Sequence, residues 1–394
     1  MGYFSDLSIS MNEGPQLMEL DKNVCIECVV DAALQSLVKK NLTSSTCDYC
    51  GEENDVTAIA APFNTVMNRI CESVLKEYSD AQDVDMPWVE KEWLVDQTYI
   101  EEVLMEFDPG WDSTFLEDVV GCFDPSTYWV RHSDGDWSVS DPSDTLMYGW
   151  GSFKEQVLTK TRYLFLAEPE DEFSSGRPDY IPIASMLDAL GNTCIKESMV
   201  TVIPAGTEFF RVRHAAAKER FTTFSEMGVP PVGVASAGRM NPPGISYLYL
   251  AYQKETAEKE VLEWSKRWFT AKYKTKVDIP IIDFSIAPSV PSVFEPKLYE
   301  SRHNRYFLHA FIKDLIAPVS KDGKEHVDYV PTQIVSEYFR YKFKDESGNG
   351  VMGLKYPSVK DDTGTNIAVF SSDNEELEQM FELLEIRECS SQTV

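Results

Sequence analysis

The chain contains few basic residues for its size, since 36 Lys and Arg stand against 65 Asp and Glu and give a formal net charge of −29. The imbalance is concentrated in residues 1–150, where 30 acidic residues face only 7 basic ones. Proteins bind nucleic acids through basic surfaces that displace counterions from the phosphates. The composition therefore argues against a nucleic-acid partner. We interpret the acidic part as a solvated, solubilising surface, while docking of a basic partner or mimicry of nucleic acid stays open.

The sequence also has no run of 18 consecutive apolar residues, so we expect no transmembrane helix and no membrane partner. Its first residues lack the basic segment and the apolar stretch that are typical of a signal peptide. We therefore expect a cytoplasmic protein. Hydrophobic residues make up 43% of the chain, and Gly and Pro are not in excess, which is typical of folded domains. A chain of 394 residues is too long for one hydrophobic core, so we expect at least two domains.

Four of the eight cysteines form two pairs near the N-terminus. Cys25 and Cys28 are separated by two residues, as are Cys47 and Cys50, and 18 residues lie between the pairs. This spacing is typical of a structural zinc site, because each pair reaches one ion and two pairs complete a tetrahedron. Cysteines in the cytoplasm are more often metal ligands than disulfides. The sequence therefore predicts one structural Zn²⁺, with no ligand position left open for catalysis.

The spacing of hydrophobic residues changes from helical to strand-like near residue 199. Helices are predicted before that point and alternating strands and helices after it, whereas residues 124–150 alternate turn formers with aromatics and predict a loop or short hairpin. The predicted helices are 60–78, 88–107, 181–198, 255–268 and 332–343, and the predicted strands lie in 199–213, 245–251 and 276–286. This order indicates an α+β protein whose first part is mainly helical.

The segment GRMNPPGISYLYLAYQKETAEKEV, residues 238–261, holds the most informative residues. A Gly- and Pro-rich turn presents Arg239, and a short apolar strand with Tyr247 and Tyr249 follows. Helix 255–268 then begins with Thr256, Ala257 and Glu260 in a T-A-x-x-E arrangement. An arginine at such a turn could also cap it, and the tyrosines could be ordinary core residues. The order of these residues therefore carries more weight than any one of them.

Two further groups of residues extend this segment in both directions. Upstream, Arg211 and Arg213 alternate on a predicted strand and therefore share one face. Downstream, Ser358 follows the sequence Lys-Tyr-Pro. Forked guanidinium groups suit the pyrophosphate of a nucleotide better than the point charge of a lysine.

The order of these motifs resembles that of the RES family, which is named for its arginine, glutamate and serine. In that family a strand ending in Phe/Tyr-Arg precedes G-R-x-N-P-P-G, Y-L-Y-L-A and T-A-x-x-E, and a later G-I-x-Y-x-S supplies the serine. The matching residues here are Arg211, Arg239, Tyr249, Glu260 and Ser358. Two departures are the long spacer between the two arginines and a leucine, Leu354, in place of the isoleucine. The N-terminal 170 residues resemble the zinc-bearing, HEPN-like extension that precedes some RES domains.

The resemblance implies a zinc-stabilised, mainly helical N-terminal domain followed by a mixed α+β, ADP-ribosyltransferase-like RES domain. The predicted segments are a zinc-binding part over 1–55, a HEPN-like helical domain over 56–166, a linker over 167–180, the RES domain over 181–372 and an acidic helical tail over 373–394. We find no R-x4-6-H ribonuclease motif within the extension, so ribonuclease activity is not predicted.

The resemblance also implies an enzyme that degrades NAD⁺ by cleaving the bond between nicotinamide and ribose. Glu260, Tyr249 and Ser358 are then the predicted catalytic residues. The residues predicted to bind the NAD⁺ substrate are Arg211, Arg213, Arg239 and Tyr247. The family resemblance further implies a growth-inhibiting toxin or defence effector that an antitoxin-like partner protein holds inactive. A mono-ADP-ribosyltransferase and a non-catalytic regulatory protein stay open as alternatives, as does homo-oligomerisation.

Overall fold

The computed structural model describes residues 19–83, 88–89, 92–93, 98–107, 110–135, 140–164, 180–231, 233–261, 267–319 and 325–390. The chain forms two compact units, one of Met1–Asp141 with Val290–His303 and the other of Pro142–Ser289 with Asn304–Val394. The predicted linker over 167–180 lies, apart from its last residue, outside the described residues. No helix in the described ranges combines the length and the apolar character that a membrane span needs.

The described residues of the first unit are mainly helical and include three small antiparallel strand pairs, β1–β2, β3–β6 and β4–β5. Its elements in chain order are β1 (Asn23–Cys25), α1 (Ala32–Lys40), β2 (Ala60–Pro62), α2 (Phe63–Glu77), β3 (Tyr78–Asp80), β4 (Trp88–Val89), β5 (Glu92–Trp93), α3 (Ile100–Glu106), α4 (Ser113–Gly121), β6 (Trp129–Arg131) and α5 (His132–Gly135).

Helix α2 confirms the prediction for residues 60–78, and its apolar stripe faces the core of this unit. Phe63, Val66, Ile70 and Val74 are all fully buried in one hydrophobic cluster. Their spacing of three to four residues places them on a single side of the helix. The predicted helix over 88–107 is wrong in its first part, where β4 and β5 form a two-residue hairpin instead. Trp and Val favour strands, and this local preference prevails over the helical spacing there.

The second unit is built around an eight-stranded mixed sheet with the strand order β14-β10-β8-β9-β13-β12-β11-β7. Its strands are β7 (Val200–Ile203), β8 (Glu208–His214), β9 (Leu248–Ala251), β10 (Arg267–Thr275), β11 (Ile279–Asp283), β12 (Gly353–Pro357), β13 (Thr365–Val369) and β14 (Phe381–Ser390). Its helices are α6 (Pro142–Glu155), α7 (Met186–Lys196), α8 (Phe224–Met227), α9 (Lys254–Val261), α10 (Tyr299–Leu315, which begins in the first unit), α11 (Glu325–Asp328), α12 (Val330–Tyr341) and α13 (Asn374–Met380). The fold is therefore of the predicted α+β class.

The sheet is nearly divided between β8 and β9. These two strands pair only where Phe210 stands opposite Ala251, whereas β8 pairs with β10 over seven residues. All neighbouring strands are antiparallel except β11 and β12, which are parallel. Strands that diverge leave space between them for side chains or a ligand. The gap between β8 and β9 is where the pocket described below lies.

The C-terminal segment corrects the prediction of a helical tail over 373–394. In the described part of this segment, which ends at residue 390, only Asn374–Met380 is helical, and Phe381–Ser390 is a strand that pairs with β10 along its whole length. The sequence EELEQMFELLEIRE has good helix formers, but pairing with a long neighbouring strand outweighs that local preference. Strand β10 was not predicted, because the predicted helix over 255–268 extends over its first residues. The observed helix ends at Val261 and the strand begins at Arg267.

Residues 142–164 belong to the second unit, which differs from the predicted domain boundary at 166. The predicted loop or hairpin over 124–150 contains the start of helix α6, and this helix continues into a π-helical turn over Gln156–Lys160. Trp150 and Phe153 stack with ring centroids 5.4 Å apart and are buried in the core of this unit. The segment is therefore an integral part of the second unit.

We expect Phe153→Ala to lower the free energy of unfolding of the second unit by about 3–5 kcal/mol, the usual cost of deleting a buried aromatic ring. Denaturant unfolding followed by tryptophan fluorescence measures this loss. Tyr148→Ala is the matched control, because this ring lies on the same helix and is 71% exposed. Equal losses in the two variants would contradict the placement of α6 in the core.

Candidate active site

A pocket of about 510 Å³ opens where β8 and β9 diverge. Its volume is within the range of small-molecule sites, and apolar walls carry a few polar groups, as is usual for such sites. The lining residues come from both strands, from α9, and from loops that follow α10 and β12. They are Phe210, Arg211, Val212, Gly238, Arg239, Tyr249, Leu250, Ala251, Ala257, Glu260, Val261, Pro318, Val319, Tyr329, Tyr356, Val359, Lys360 and Asn366.

Arg211 lines this pocket from strand β8, and no ion pair links it to an acidic residue in the part of the chain that the structure describes. Its Nη1 atom is buried and has no hydrogen-bond partner among the described residues. Burial, reinforced by the neighbouring Arg213, lowers the pKa of the guanidinium to about 10, against the opposing influence of Tyr273 and Tyr249. The group is still a cation at neutral pH. A buried cation without a carboxylate partner is costly, so this position suits an anionic ligand.

Arg239 lies on the wall formed by the turn before β9. One of its Nη atoms donates to the backbone carbonyl of Leu315 at 2.8 Å, at the C-terminal end of helix α10. The guanidinium also lies over the ring of Tyr329, with 5.2 Å to the centroid. These two contacts fix the direction of the side chain, and the remaining N–H groups are left to serve a ligand in the pocket.

The turn that carries Arg239 is fixed by hydrogen bonds at close range. The Gln333 side chain donates to the carbonyls of Gly238 and Asn241, at 2.8 and 3.0 Å. A Cβ at position 238 would lie 2.4 Å from the Asn241 Oδ1 atom, which explains why glycine precedes the arginine. The conformation is thus specified by the sequence G-R-x-N together with one glutamine of helix α12.

Tyr249 contributes its ring to the pocket, while its hydroxyl serves the turn. The hydroxyl donates to Asn241 Oδ1 at 2.7 Å and accepts the backbone N–H of Met240 at 3.1 Å. Burial raises the pKa of this phenol above its ordinary value, so the group stays neutral. The ring face is therefore the part of Tyr249 that is left for a ligand.

Glu260 reaches the pocket from helix α9, and its carboxylate is held by two neutral donors. Its Oε1 atom accepts from the Ser358 hydroxyl at 2.8 Å and from the Asn366 amide at 2.9 Å. The small residue Ala257, one turn earlier, packs against Val212 and lets the helix approach strand β8 closely. Ser358 therefore contacts and orients the Glu260 carboxylate. This is not the direct contact with substrate that its predicted catalytic role requires.

Comparison with known protein families agrees with this arrangement. Residues 208–389 match the RES domain, and residues 40–171 match HEPN/RES N-terminal domain 1. The chain carries a RES domain behind a HEPN/RES N-terminal domain. This confirms the resemblance read from the motifs, and it supports a toxin-like, NAD-related function in general terms. No curated protein matches the chain.

The structure does not bring Tyr247 and Arg213 to the pocket of the RES domain. Tyr247 is 2% exposed and packs against Phe370, with ring centroids 5.2 Å apart, in the core beneath the sheet. Arg213 donates to the backbone carbonyl of Glu226, and its guanidinium lies 4.7 Å from the centroid of the Phe221 ring. Sharing a strand face with a pocket residue did not suffice, because Tyr247 precedes strand β9 and packs into the core, and Arg213 turns towards Glu226 and Phe221.

Three pocket residues of the RES domain were missed from the sequence. Asn366 holds Glu260, and Tyr329 and Tyr356 supply aromatic walls. Burial raises the pKa of Tyr356 well above its ordinary value. A signal for Asn366 existed, since it is the one strongly polar residue in the apolar strand sequence NIAVF. The tyrosines gave no such signal, because buried tyrosines are common in cores.

The predicted cysteines come together in the first unit. The Sγ atoms of Cys25, Cys28, Cys47 and Cys50 all lie within 4.8 Å of one another, and those in closest contact are 3.5 to 3.8 Å apart. A tetrahedral zinc with bonds of about 2.3 Å requires sulfur atoms about 3.8 Å apart. The four cysteines therefore fit a structural zinc ion.

The environment of these thiols also suits a metal. Burial raises the pKa of Cys25 to about 11. At Cys47 burial acts in the same direction, but backbone N–H groups of Cys50, Tyr49 and Cys25 outweigh it and lower the pKa of the thiol. Backbone N–H groups that point at sulfur stabilise a thiolate, which is the form that binds metal.

Proposed function

We propose that this protein cleaves the bond between nicotinamide and ribose in NAD⁺ and acts as a growth-inhibiting toxin or defence effector. The observation that carries the proposal is Glu260, a carboxylate held by two neutral donors in the wall of a pocket that Arg211 also lines. The buried Nη1 atom of Arg211 has no hydrogen-bond partner in the described part of the chain. A cation and an anion kept apart in one pocket match a dinucleotide, which has an anionic pyrophosphate and a ribose that becomes cationic during cleavage.

Binding is assigned to the two arginines and the aromatic walls. Arg211 and Arg239 offer several N–H donors to the pyrophosphate oxygens, in the geometry that guanidinium groups provide. The rings of Tyr249, Tyr329 and Tyr356 form apolar faces against which a planar nicotinamide can stack. Both interactions position the substrate before any bond breaks.

In the reaction, the bond between ribose C1″ and the nicotinamide nitrogen breaks, and its electron pair stays on that nitrogen. Nicotinamide leaves as a neutral molecule, and the ribose becomes an oxocarbenium-like cation. The negative charge of Glu260 stabilises this cation, and fixed charge of this kind is usually a large catalytic term. Its Oε1 atom already accepts two hydrogen bonds, so we assign Oε2 to a ribose hydroxyl.

Water or inorganic phosphate then adds to C1″, giving ADP-ribose or ADP-ribose 1″-phosphate, and the proton of the nucleophile passes to solvent. Ser358 is not assigned as the nucleophile, because its hydroxyl donates to Glu260. A serine nucleophile needs a base that accepts its proton, and a carboxylate engaged with the ribose is poorly suited to that task. A reactive cation needs only a weak nucleophile from solution.

Incubating the purified protein with NAD⁺, with and without phosphate, tests the proposal. We expect nicotinamide release, and either faster NAD⁺ loss with phosphate or its incorporation into the product. ADP-ribose as the sole product, at a rate independent of phosphate, would establish a hydrolase. ADP-ribose bound to a protein would establish a transferase, and NAD⁺ bound but unchanged would establish a regulatory module.

The two arginines of β8 provide matched variants for the same assay. Arg211→Leu should raise KM for NAD⁺ by about 10-fold or more, because a charge-assisted pair contributes about 1.5–3 kcal/mol. Arg213→Leu removes a cation two residues away that is engaged with Glu226 and Phe221 instead, and its KM should stay within about twofold of the wild type. Equal effects would remove Arg211 from the substrate site.

We also propose that a partner protein inhibits this enzyme in the cytoplasm, since uncontrolled loss of NAD⁺ would harm the cell that makes it. Expression of the active enzyme and of Glu260→Gln in separate cultures of the same cells measures the toxicity that such a partner must prevent. Growth inhibition by the wild type alone would support the toxin assignment. Equal growth with both would contradict it.

A further inference from the structure

We propose that Thr256 and Asp361 form a clamp that positions Glu260 by holding Ser358 in place. Thr256 lies on helix α9, one turn before Glu260, and Asp361 lies in the loop after β12 that carries Ser358. The inference rests on the proposed function, because it assigns Glu260 the catalytic role. Neither clamp residue lines the pocket, so both are positioning residues.

The first contact of the clamp is a buried hydrogen bond. The Thr256 hydroxyl, which is fully buried, donates to Asp361 Oδ2 at 2.6 Å. The ammonium of Lys259 donates to the other carboxylate oxygen at 2.8 Å. These two donors, Lys259 first, lower the pKa of the Asp361 carboxyl, so it is charged at neutral pH. The acid therefore ties two positions of helix α9 to one loop.

Backbone hydrogen bonds within the loop connect Asp361 to Ser358. The N–H of Gly364 donates to the carbonyl of Asp361, and the N–H of Ser358 donates to the carbonyl of Gly364, both at 2.8 Å. The N–H of Lys360 then donates to the Ser358 hydroxyl at 3.2 Å, and that hydroxyl donates to Glu260. The loop closes on itself between residues 358 and 364, and one end faces Thr256 while the other faces Glu260.

Helix and loop are thus joined at both ends of one helical turn. Thr256 and Lys259 donate to Asp361 at one end. At the other end Glu260 accepts from the Ser358 hydroxyl through its carboxylate and from the Lys360 ammonium through its backbone carbonyl, the latter at 2.9 Å. Residues four apart on a helix share one face, so Thr256 and Glu260 both point at the loop. A Cβ at position 364 would lie 2.5 Å from the Thr256 Oγ1 atom, which shows how closely the two backbones approach. Joints at both ends of the turn hold the loop against the helix and so fix the position of Ser358 relative to the Glu260 carboxylate. This gives the threonine of the T-A-x-x-E motif a physical role.

The buried joint is the one expected to matter for catalysis. The Lys259 side chain is 53% exposed, and a surface ion pair of this kind contributes little. The Thr256 hydroxyl is shielded from water, and hydrogen bonds to charged groups are the stronger class. Loss of the hydroxyl should therefore loosen the loop, whereas loss of the lysine charge should not.

The test compares Thr256→Val, which keeps the shape and removes the donor, with Thr256→Ser, which keeps the donor. We expect Thr256→Val to lower kcat for NAD⁺ cleavage about tenfold or more, with KM within about twofold, and Thr256→Ser to restore most of kcat. Lys254→Met is the matched control on the same helix, where the lysine pairs only with Glu258 among the described residues, and it should leave kcat unchanged. An unchanged kcat in Thr256→Val would overturn the proposal.

A double-mutant cycle separates positioning from a general loss of stability. If Thr256 acts through Ser358, the kcat loss from Thr256→Val should largely vanish in a Ser358→Ala background, because the route is already cut. Fully additive losses would overturn the proposal. Should Thr256→Val fail to fold, Gly364→Ala replaces it, since its methyl group forces the same loop away from Thr256 and should show the same dependence on Ser358.

The hydrogen-exchange rate of a peptide that covers residues 358–364 tests whether the clamp exists, and this measurement does not depend on NAD⁺ turnover. We expect faster exchange in Thr256→Val than in the wild type or Lys254→Met, and equal rates would overturn the clamp. A wild-type protein that does not cleave NAD⁺ would refute the proposed function alone, and the exchange result would still decide whether the clamp exists. Faster exchange with unchanged kcat would refute the positioning role alone.

Discussion

Glu260→Gln is expected to lower NAD⁺ turnover by about 10²–10³-fold or more while the fold is retained, since removal of one electrostatic contact to the transition state costs this much. The side-chain oxygen of glutamine can still accept from Ser358 and Asn366, as Oε1 of the glutamate does. The substitution therefore removes the negative charge and keeps the shape. The loss should appear in kcat more than in KM, because the ribose is cationic only in the transition state.

Steady-state release of nicotinamide measures this loss, and thermal unfolding verifies the fold. Glu258→Gln is the control, because this acid lies on the same helix and pairs with Lys254 instead of lining the pocket. It should retain wild-type kcat. Near-normal turnover in Glu260→Gln would show that the carboxylate is not catalytic and would require another residue of the pocket in that role.

The parts of the site that were predictable are those whose geometry is fixed by contacts among the residues of one motif. The turn that presents Arg239 is closed locally, because the Gly238 N–H donates to the Asn241 carbonyl at 3.0 Å and the Asn241 amide donates to the carbonyls of Ser236 and Ile245. Glu260 was predicted through the resemblance to the RES family, whose T-A-x-x-E arrangement follows the strand after the Arg239 turn. Asn366 was not, since its relation to Glu260 depends on pairing between strands that are far apart in the chain.

Strand pairing also explains the main errors in the fold. Strand β14 has the composition of a helix and becomes a strand because β10 offers it a partner of nearly equal length. Tyr247 and Tyr249 look equivalent in sequence, yet only the second reaches the gap between β8 and β9. A local pattern gives the face of a strand, whereas the place where a sheet divides is set by contacts across the whole unit.

Removal of zinc is expected to unfold the N-terminal part of the first unit. Three of the four cysteines are buried in the same hydrophobic cluster as Phe63 and Leu34, so loss of the ion would remove the centre around which that core packs. Structural zinc in small domains contributes apparent binding energies of about 10–16 kcal/mol, which exceeds the stability of most domains. A chelator, or Cys47→Ser, should therefore abolish cooperative unfolding of this unit.

Metal analysis of the purified protein should give one zinc per chain, and the same analysis on Cys47→Ser should give far less. Cys71→Ala is the control, because this thiol is buried in the same unit but is not one of the four clustered cysteines. It should keep the full zinc content and lose only the modest stability of a small core substitution.

Cooperative unfolding of the first unit that survives complete chelation would show that the four thiols can pack without an ion. Equal zinc content in Cys47→Ser and the wild type would place the metal elsewhere. Because Cys25, Cys28, Cys47 and Cys50 all lie within residues 23–50, the chelated unit should lose the order of this segment before that of helix α2.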